Sequence, residues 1–231
     1  MIVDRIIPRI GLAMIILSFC GITSAQETDW GLWTTIGAEI KLSKKWQLEA
    51  GGEYRWKEEI STTDQIRGSF DVKYKVWKYV RLGAGYELIA DKKKKKDIYV
   101  YRHRFKLDAL ANYKVQRFTL SWRPRLQTTL YDDQDLDKDD TDSYKWVFRN
   151  RFGVNYNIPK IPLKPYVQYE LFHHIFSDLE PSYYKNRFTV GLEYTIAKKH
   201  EINLAYLYDN EILDSKKYYF NVISAGYKFS F

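Results

Sequence analysis

Apolar and polar side chains alternate with a period of two along almost the whole chain from Trp30 onward. This alternation is typical of β-strands and predicts eleven of them, each roughly 10–16 residues long. The predicted strands are 30–42, 46–57, 66–76, 79–90, 98–113, 117–131, 143–157, 164–176, 183–196, 200–209 and 217–231. Strands of globular proteins usually have about 5–6 residues, whereas a tilted strand that crosses a bilayer needs about 9–11. The lengths therefore favour a membrane barrel.

The connections between these strands alternate between two lengths. Short connections are predicted at 43–44, 77–78, 114–116, 158–162 and 197–199, and longer polar ones at 58–65, 91–97, 132–142, 177–182 and 210–216. Outer-membrane barrels have short periplasmic turns and longer extracellular loops. The sequence therefore predicts an all-β fold, an antiparallel transmembrane β-barrel of about 10–12 strands. With both chain ends in the periplasm we expect ten or twelve strands; eleven would require the first strand to begin on the outer side.

Alternation alone does not say which face of the barrel lies inside. The polar phase is rich in glycine as well as charge, and the apolar phase carries aromatic residues near both strand ends, which matches the two headgroup layers of a bilayer. The aromatic residues assigned to the short-turn end are Trp46, Tyr113, Tyr156, Tyr194 and Phe229. Those assigned to the long-loop end are Trp56, Tyr86, Tyr99, Tyr131, Tyr144, Trp146, Tyr184 and Tyr208. We therefore expect the apolar face outside; the alternative is a soluble secreted barrel.

The last nine residues, ISAGYKFSF, alternate up to the terminal Phe231. Such an ending fits a strand that closes a barrel and places its aromatic rim at the periplasmic interface. It also resembles the terminal strand that the outer-membrane assembly machinery recognises, so this machinery is an expected partner.

The N-terminus has the three parts of a secretory signal peptide. Arg5 and Arg9 supply positive charge, residues 11–19 are apolar, and Ala25 offers a small residue for cleavage. We predict a signal peptide at 1–25 and a barrel at 26–231; a retained anchor or lipidation at Cys20 is the alternative. Cys20 is the only cysteine, so the exported protein would fold without disulfides.

Composition argues against a helical membrane protein and against a nucleic-acid-binding protein. Mean hydropathy is −0.48, and no segment after residue 25 approaches the roughly 20 apolar residues of a spanning helix. The pI is about 9.2, but the positive charge is spread over the predicted lumen and loops, so nucleic acid is not an expected partner.

Four segments resemble an uncharacterised family of outer-membrane β-barrels, domain of unknown function 2490. They are DWGLWTTIGAEIKLSKKWQLEAGGEYRW at 29–56, DQIRGSFDVKYKVWKYVRLGAGYELI at 64–89, YRHRFKLDAL at 101–110 and the terminal AGYKFSF. The resemblance covers nearly all of the predicted exported chain. It implies a barrel in the cell outer membrane, and it implies no reaction and no catalytic residues.

The lumen-facing phase of consecutive strands holds a predicted basic wall. Its members are Arg102, Arg104, Arg123, Arg125, Arg149 and Arg151. Arginine forks suit carboxylates and phosphates, so the wall could line an anion pore or hold an anionic ligand. The alternative is an internal ion network with carboxylates of the same phase. These carboxylates are Glu49, Glu53, Asp71, Glu87, Asp108, Glu170 and Glu193.

Two loops and four histidines offer other chemistry. The basic loop DKKKKKD at 91–97 suits lipopolysaccharide phosphates, and the acidic loop DDQDLDKDDTD at 132–142 lacks the glycine and closing glutamate of a calcium loop. Adjacent histidines at 173 and 174 point to opposite faces of a strand. His103 and His173 fall in the lipid-facing phase with no identifiable nucleophile. We therefore expect no cofactor, no metal site and no catalysis.

Three functions follow as hypotheses. The first is a non-catalytic, narrow pore for small solutes, with anions favoured by the basic wall. The second is a closed structural or surface-binding barrel. The third is a lipid-modifying enzyme of the outer membrane. Outer-membrane lipids and lipopolysaccharide are the expected surroundings in each case.

Overall fold

In the computed structural model, residues 28–93, 97–132, 144–176, 183–213 and 216–231 are described, and they form one closed barrel of eleven strands. In chain order the strands are β1 (Thr28–Lys41), β2 (Trp46–Lys57), β3 (Thr62–Lys75), β4 (Val80–Lys93), β5 (Ile98–Val115), β6 (Phe118–Tyr131), β7 (Tyr144–Tyr156), β8 (Leu163–Ile175), β9 (Tyr183–Ile196), β10 (His200–Leu213) and β11 (Lys216–Ser230). Each predicted strand is therefore confirmed. Within these described ranges, no helix is long and apolar enough to cross a membrane.

The barrel closes through a parallel pairing of its first and last strands. Thr28 lies opposite Tyr219 and Glu39 lies opposite Ser230, whereas all other neighbouring strands are antiparallel. A backbone hydrogen bond of 2.8 Å from Phe231 N to Glu39 O extends this pairing to the last residue. The expectation of ten or twelve strands was wrong for the described chain. The first strand begins at the end where the longer loops were predicted, so β1 and β11 run in the same direction.

The strands reach further into the predicted long loops than the alternation indicated. β3 already begins at Thr62, β4 continues to Lys93, and β10 continues to Leu213. The cause is the backbone ladder, in which Lys92 and Lys93 pair with β5 although their side chains break the apolar pattern. The contrast between long and short connections is therefore weaker than predicted.

The outer face of the barrel is apolar and exposed, as expected for strands that cross a bilayer. Phe105 and Leu107 on β5 are 48% and 60% exposed, and every strand carries similar side chains outward. Polar atoms on this face bond to each other: the Tyr86 hydroxyl lies 2.7 Å from His103 Nδ1. A soluble barrel would hide this face, whereas a transmembrane barrel turns it to lipid. The fold is therefore an antiparallel transmembrane β-barrel.

Two aromatic residues assigned to the lipid-facing rim lie in the lumen instead. Tyr131 shares the phase of the inward arginines on β6, and the Arg102 guanidinium lies 5.0 Å from its ring centre. Tyr184 stacks on His174 with 3.9 Å between ring centres. The assignment of Tyr184 failed because the register shifts between Phe172 and His173, which alternation cannot reveal.

The inner face is charged, and its glycines make room for the side chains of neighbouring strands. A side chain at Gly85 would collide with Asp71 and crowd Lys106, and one at Gly191 would collide with the ring of Tyr166. Glycine in a strand often marks such a close approach. The lumen is therefore packed with side chains that cross it rather than lined by short ones.

Candidate functional site

All six arginines of the predicted basic wall lie on three adjacent strands and face the lumen. Arg102 and Arg104 lie on β5, Arg123 and Arg125 on β6, and the last two on β7. In the ladder Arg123 lies directly opposite Arg151, and Arg125 lies opposite Arg149. The phase and the neighbourhood of these residues agree with the prediction.

Five of the six arginines lie near a carboxylate, but Arg104 and Arg123 approach theirs only at 3.7 Å. Arg102 Nη1 lies 2.8 Å from Asp91 Oδ2, and Arg104 Nη1 lies 3.7 Å from Glu87 Oε2. The sequence had placed Asp91 in a loop, so this pair was missed. The carboxylate lies instead in the extended part of β4, opposite Val100.

The other two pairs are made through two guanidinium nitrogens each. Arg125 donates from Nε and Nη2 to Asp108 Oδ2, at 3.0 and 2.7 Å. Arg149 donates from Nε to Glu170 Oε1 at 3.2 Å and from Nη2 to Oε2 at 2.9 Å. Paired donation of this kind is the strongest form of an arginine–carboxylate contact. Much of the wall is therefore an internal ion network.

The carboxylates of the other strands join the same network. Glu49 pairs with Lys73, Glu53 with Arg55, Asp71 with Lys106, Glu87 with Arg67, and Glu193 with Lys164. All of these carboxylates had been placed in the lumen-facing phase by the sequence.

Arg123 and Arg151 differ from the other four, and we call them the arginine pair. Among the described residues, Arg151 makes no hydrogen bond and no ion pair, although Glu170 lies opposite it in register. Arg123 approaches Glu170 Oε1 only at 3.7 Å, and its buried Nε has no hydrogen-bond partner in that part of the chain. Glu170 already holds Arg149. The arginine pair therefore has no carboxylate of its own.

A line of rings and guanidinium groups extends across the lumen beside the arginine pair. We call its members, which are Trp33, Arg55, Arg149, Phe172 and Arg187, the closing layer. The Trp33 ring centre lies 3.5 Å from Arg55 Cζ and 4.7 Å from Arg187 Cζ. The Phe172 ring centre lies 5.7 Å from Arg187 Cζ and 4.6 Å from Arg149 Cζ. Arginines stack on aromatic faces in this way because the ring face is negative.

Each arginine of the closing layer has its own carboxylate. Arg187 donates to both oxygens of Asp209, at 2.6 and 2.7 Å, while Arg55 pairs with Glu53 and Arg149 pairs with Glu170. The side chains of Asp209 and Glu170 are 2% and 5% exposed. Charges that are buried to this degree need paired, hydrogen-bonded partners. The carboxylates of Asp209 and Glu170 are therefore nearly inaccessible to solvent, and each arginine of the layer is paired with a carboxylate.

Sequence reasoning missed the closing layer. Trp33 stands in the polar phase of β1, where an aromatic residue is out of place. It packs with Leu207 and Val222, which are also buried inside the lumen. Large apolar residues in a polar phase were the available signal.

A cavity of about 170 Å³ lies beside the closing layer. Arg151 lines it together with neutral polar side chains, and Arg187 and Glu170 form its border with the layer. The neutral polar groups are Tyr166, Gln168, Thr189, Asn203 and Ser224. The cavity is therefore a polar space with an arginine of the pair at its wall.

Two of the four histidines are hydrogen-bonded to tyrosine hydroxyls. His103 is exposed on the lipid side and bonds to Tyr86, and His200 Nδ1 lies 2.8 Å from the Tyr227 hydroxyl. No cluster of three metal-ligating side chains occurs within the described ranges. Residues 94–96 of the basic loop at 91–97 and residues 133–142 of the acidic loop at 132–142 lie outside the described residues. At their edge Lys92 Nζ pairs with Asp97 Oδ1.

Comparisons with known proteins place the chain in a family without an assigned activity. A family model described as "Protein of unknown function (DUF2490)" matches residues 30–219. The curated proteins contain no match.

Similar solved structures are barrels with low identity. The β domain of the Bordetella autotransporter BrkA has 12% identity and a TM-score of 0.41, covering 73% of this chain and 78% of that one. A porin has 13% identity and a TM-score of 0.34 over 77% of this chain, and the anion-selective porin from Comamonas acidovorans has 16% and 0.35 over 77%. The likeness spans only 56% and 51% of those two porins. At these scores it does not extend to function.

Proposed function

We propose that this chain, which belongs to the DUF2490 family of proteins of unknown function, is a non-catalytic outer-membrane β-barrel that is closed to the free flow of ions. The observation that carries the proposal is the closing layer. Its contacts lead from Arg55 on β2 through Trp33 and Arg187 to Phe172 and Arg149 on β7. A closed barrel acts through its rims and its lumen pockets rather than as a general pore.

The position of the layer supports closure. In the strand order, β2 and β7 are separated by four strands in one direction and five in the other, so they face each other across the barrel. Barrels of about eight strands are filled by side chains, and those of 16–18 leave a channel. Eleven strands lie between these limits, so contacts between strands that are not neighbours decide the matter, and Trp33 on β1 makes one with Arg187 on β9.

Charge balance also supports closure. An ion that passed the layer would have to move the Arg187 guanidinium, which is held by both oxygens of the buried Asp209, away from the Trp33 ring. Removing one partner of a buried pair typically costs about 3–5 kcal/mol. Thermal fluctuation would open such a layer rarely.

The outer membrane is the proposed location. The exposed apolar band needs a bilayer, and a chain without a spanning helix in its described part can cross one with strands. The signal peptide at 1–25, the lipid and lipopolysaccharide surroundings and assembly by the outer-membrane machinery belong to the same proposal. Fractionation with carbonate-washed outer membranes tests it, since a soluble protein would be released.

A non-catalytic role is supported at His103, the lipid-facing histidine whose Nδ1 lies 2.7 Å from the Tyr86 hydroxyl, because no nucleophile is identifiable beside it in the described chain. Unchanged lipid A and phospholipid profiles on overexpression and deletion are the expected result. A changed profile would reverse this part of the proposal.

A narrow anion pore is the second candidate, and one observation favours it. Arg123 and Arg151 leave positive charge on the lumen wall without a carboxylate of their own. If the closing layer moved aside, anions would pass this charge more easily than cations.

Conductance across a planar bilayer separates the two candidates. The chain without residues 1–25 is refolded, its folding is verified by circular dichroism and heat-dependent gel mobility, and current is recorded in a salt gradient. We expect no steady steps from the native protein and clear steps from Trp33→Ala. The matched control is Thr35→Ala, which shrinks an inward side chain of the same strand outside the closing layer.

Two outcomes would contradict closure of the barrel by the closing layer. Steady steps from the native protein would favour the pore, and anion selectivity would make the arginine pair its filter. Silence from a folded Trp33→Ala barrel would show that other groups close the lumen. If Trp33→Ala does not fold, the double variant Arg187→Gln and Asp209→Asn removes the layer's central pair while keeping polar groups and net charge.

A further inference from the structure

We infer that the arginine pair is a binding site for one small oxyanion, a ligand that presents phosphate, sulfate or carboxylate oxygens. The site lies on the lumen wall between β6 and β7, beside the closing layer. It goes beyond the proposed function, because a barrel can hold this ligand whether or not it conducts ions.

The local charge count requires a counter-ion. Four guanidinium groups face each other in register on β6 and β7, at Arg123, Arg125, Arg149 and Arg151. Two carboxylates serve them, and each is held through two nitrogens by one arginine: Asp108 by Arg125, and Glu170 by Arg149. Arginine does not lose its proton in proteins. Two positive charges are therefore left over in one place.

The two remaining guanidinium groups are neighbours. Residues directly opposite on antiparallel strands have Cα atoms about 4.5–5.5 Å apart, and like charges in this position repel. The Arg123 Nε proton is buried with no acceptor in the described chain. A bound oxyanion would turn the repulsion between the two arginines into two attractions.

Space and polarity beside the pair fit a small ligand. The wall of the cavity of about 170 Å³ holds three arginines, Arg149, Arg151 and Arg187, against one carboxylate, Glu170. Neutral polar side chains such as Gln168 and Asn203 complete it. One water takes about 30 Å³ of liquid volume. The cavity therefore holds a phosphate-sized group with a few waters, and it is too small for a nucleotide or an oligosaccharide.

The chemistry of the pair favours oxyanions over chloride. A guanidinium fork presents parallel N–H donors that match two oxygens of one carboxylate, phosphate or sulfate. Chloride offers only one acceptor atom, which both donors of a fork must share. An oxyanion preference over chloride is thus the signature of this site.

Isothermal titration of the refolded barrel tests the inference. The barrel of residues 26–231 in zwitterionic detergent is titrated separately with inorganic phosphate, sulfate, acetate and chloride in a buffer free of oxyanions. We expect one oxyanion equivalent to bind, and Arg123→Gln or Arg151→Gln to weaken that binding at least tenfold. The matched control is Arg117→Gln, which removes the same charge from the exposed turn between β5 and β6.

The results separate the ligand sources and the alternatives. Preference for phosphate and sulfate over acetate identifies a tetrahedral ligand, and the reverse identifies a carboxylate; both support the site. Loss of binding in Arg117→Gln equal to that in Arg151→Gln would indicate general surface attraction and overturn it. Binding of no oxyanion, or equal binding of chloride, by barrel with native heat-dependent mobility would also overturn it. None of these results depends on conductance, so the closed barrel can fail while this site stands.

Discussion

The closing layer and the arginine pair lie side by side in one lumen, and they differ in how their arginines are paired with carboxylates. In the layer, Arg187 donates hydrogen bonds to both carboxylate oxygens of Asp209, whose side chain is almost fully buried. In the pair, Arg151 has no hydrogen bond or ion pair within the described chain. Arg149 stands at the boundary and takes the carboxylate of Glu170 that would otherwise serve the pair.

This difference separates structural charge from available charge. A buried guanidinium whose donors are all taken fixes the packing of its neighbours, and it offers nothing to a ligand. A guanidinium with free donors destabilises the empty barrel and attracts an anion. Counting arginines in a lumen therefore says little until each one is matched with its carboxylate.

Removing the central carboxylate of the layer should have the largest effect. Asp209→Asn leaves Arg187 and Lys185 without the carboxylate that holds both. We expect the free energy of unfolding to fall by about 3–5 kcal/mol, measured by urea titration of the barrel in lipid vesicles. Asp97→Asn, which alters an exposed pair with Lys92, should leave the midpoint unchanged. If the two variants unfolded at the same urea concentration, the buried pair of the layer would contribute no more to stability than the exposed pair.

Removing an arginine of the pair should have a smaller effect of the opposite sign. Arg151→Gln takes away one of two like charges that lie directly opposite each other on adjacent strands, and such a pair is destabilising. In oxyanion-free buffer we expect the variant to be more stable than the native barrel in the same urea titration. In 50 mM phosphate, roughly a saturating excess for a millimolar site, the gain should shrink, because phosphate stabilises only the native barrel. A destabilised variant in both buffers would mean that Arg151 has a partner and a structural role.

The fold followed from the sequence because the alternation is simple. Trp46–Lys57 and Tyr183–Ile196 were predicted with the bounds that the structure has. The ladder of backbone hydrogen bonds explains the errors, since it continues through Lys92 and Lys93 whatever their side chains prefer. The direction of the first strand, and with it the odd strand number, depends on how the sheet closes, which no local pattern records.

For the candidate site, the sequence predicted which charged residues face the lumen but not which of them pair. The phase of the strands put all six arginines and most of their carboxylates in the lumen. Which arginine takes which carboxylate depends on register and reach: Asp91 pairs with Arg102 across β4 and β5, and Glu170 is taken by Arg149 rather than by Arg151 directly opposite. Trp33 reaches Arg187 three strands away. Contacts across a lumen leave no periodic trace in the sequence.

The central claim is that the closing layer seals the lumen, and a single introduced cysteine tests it most directly. Val222 is fully buried against Trp33, and the chain of residues 26–231 has no cysteine of its own. In vesicles, Val222→Cys should resist a charged thiol reagent, whereas Lys228→Cys at the lumen mouth reacts. Adding Trp33→Ala should make position 222 react as well. Rapid labelling of Val222→Cys with the layer intact would contradict the account.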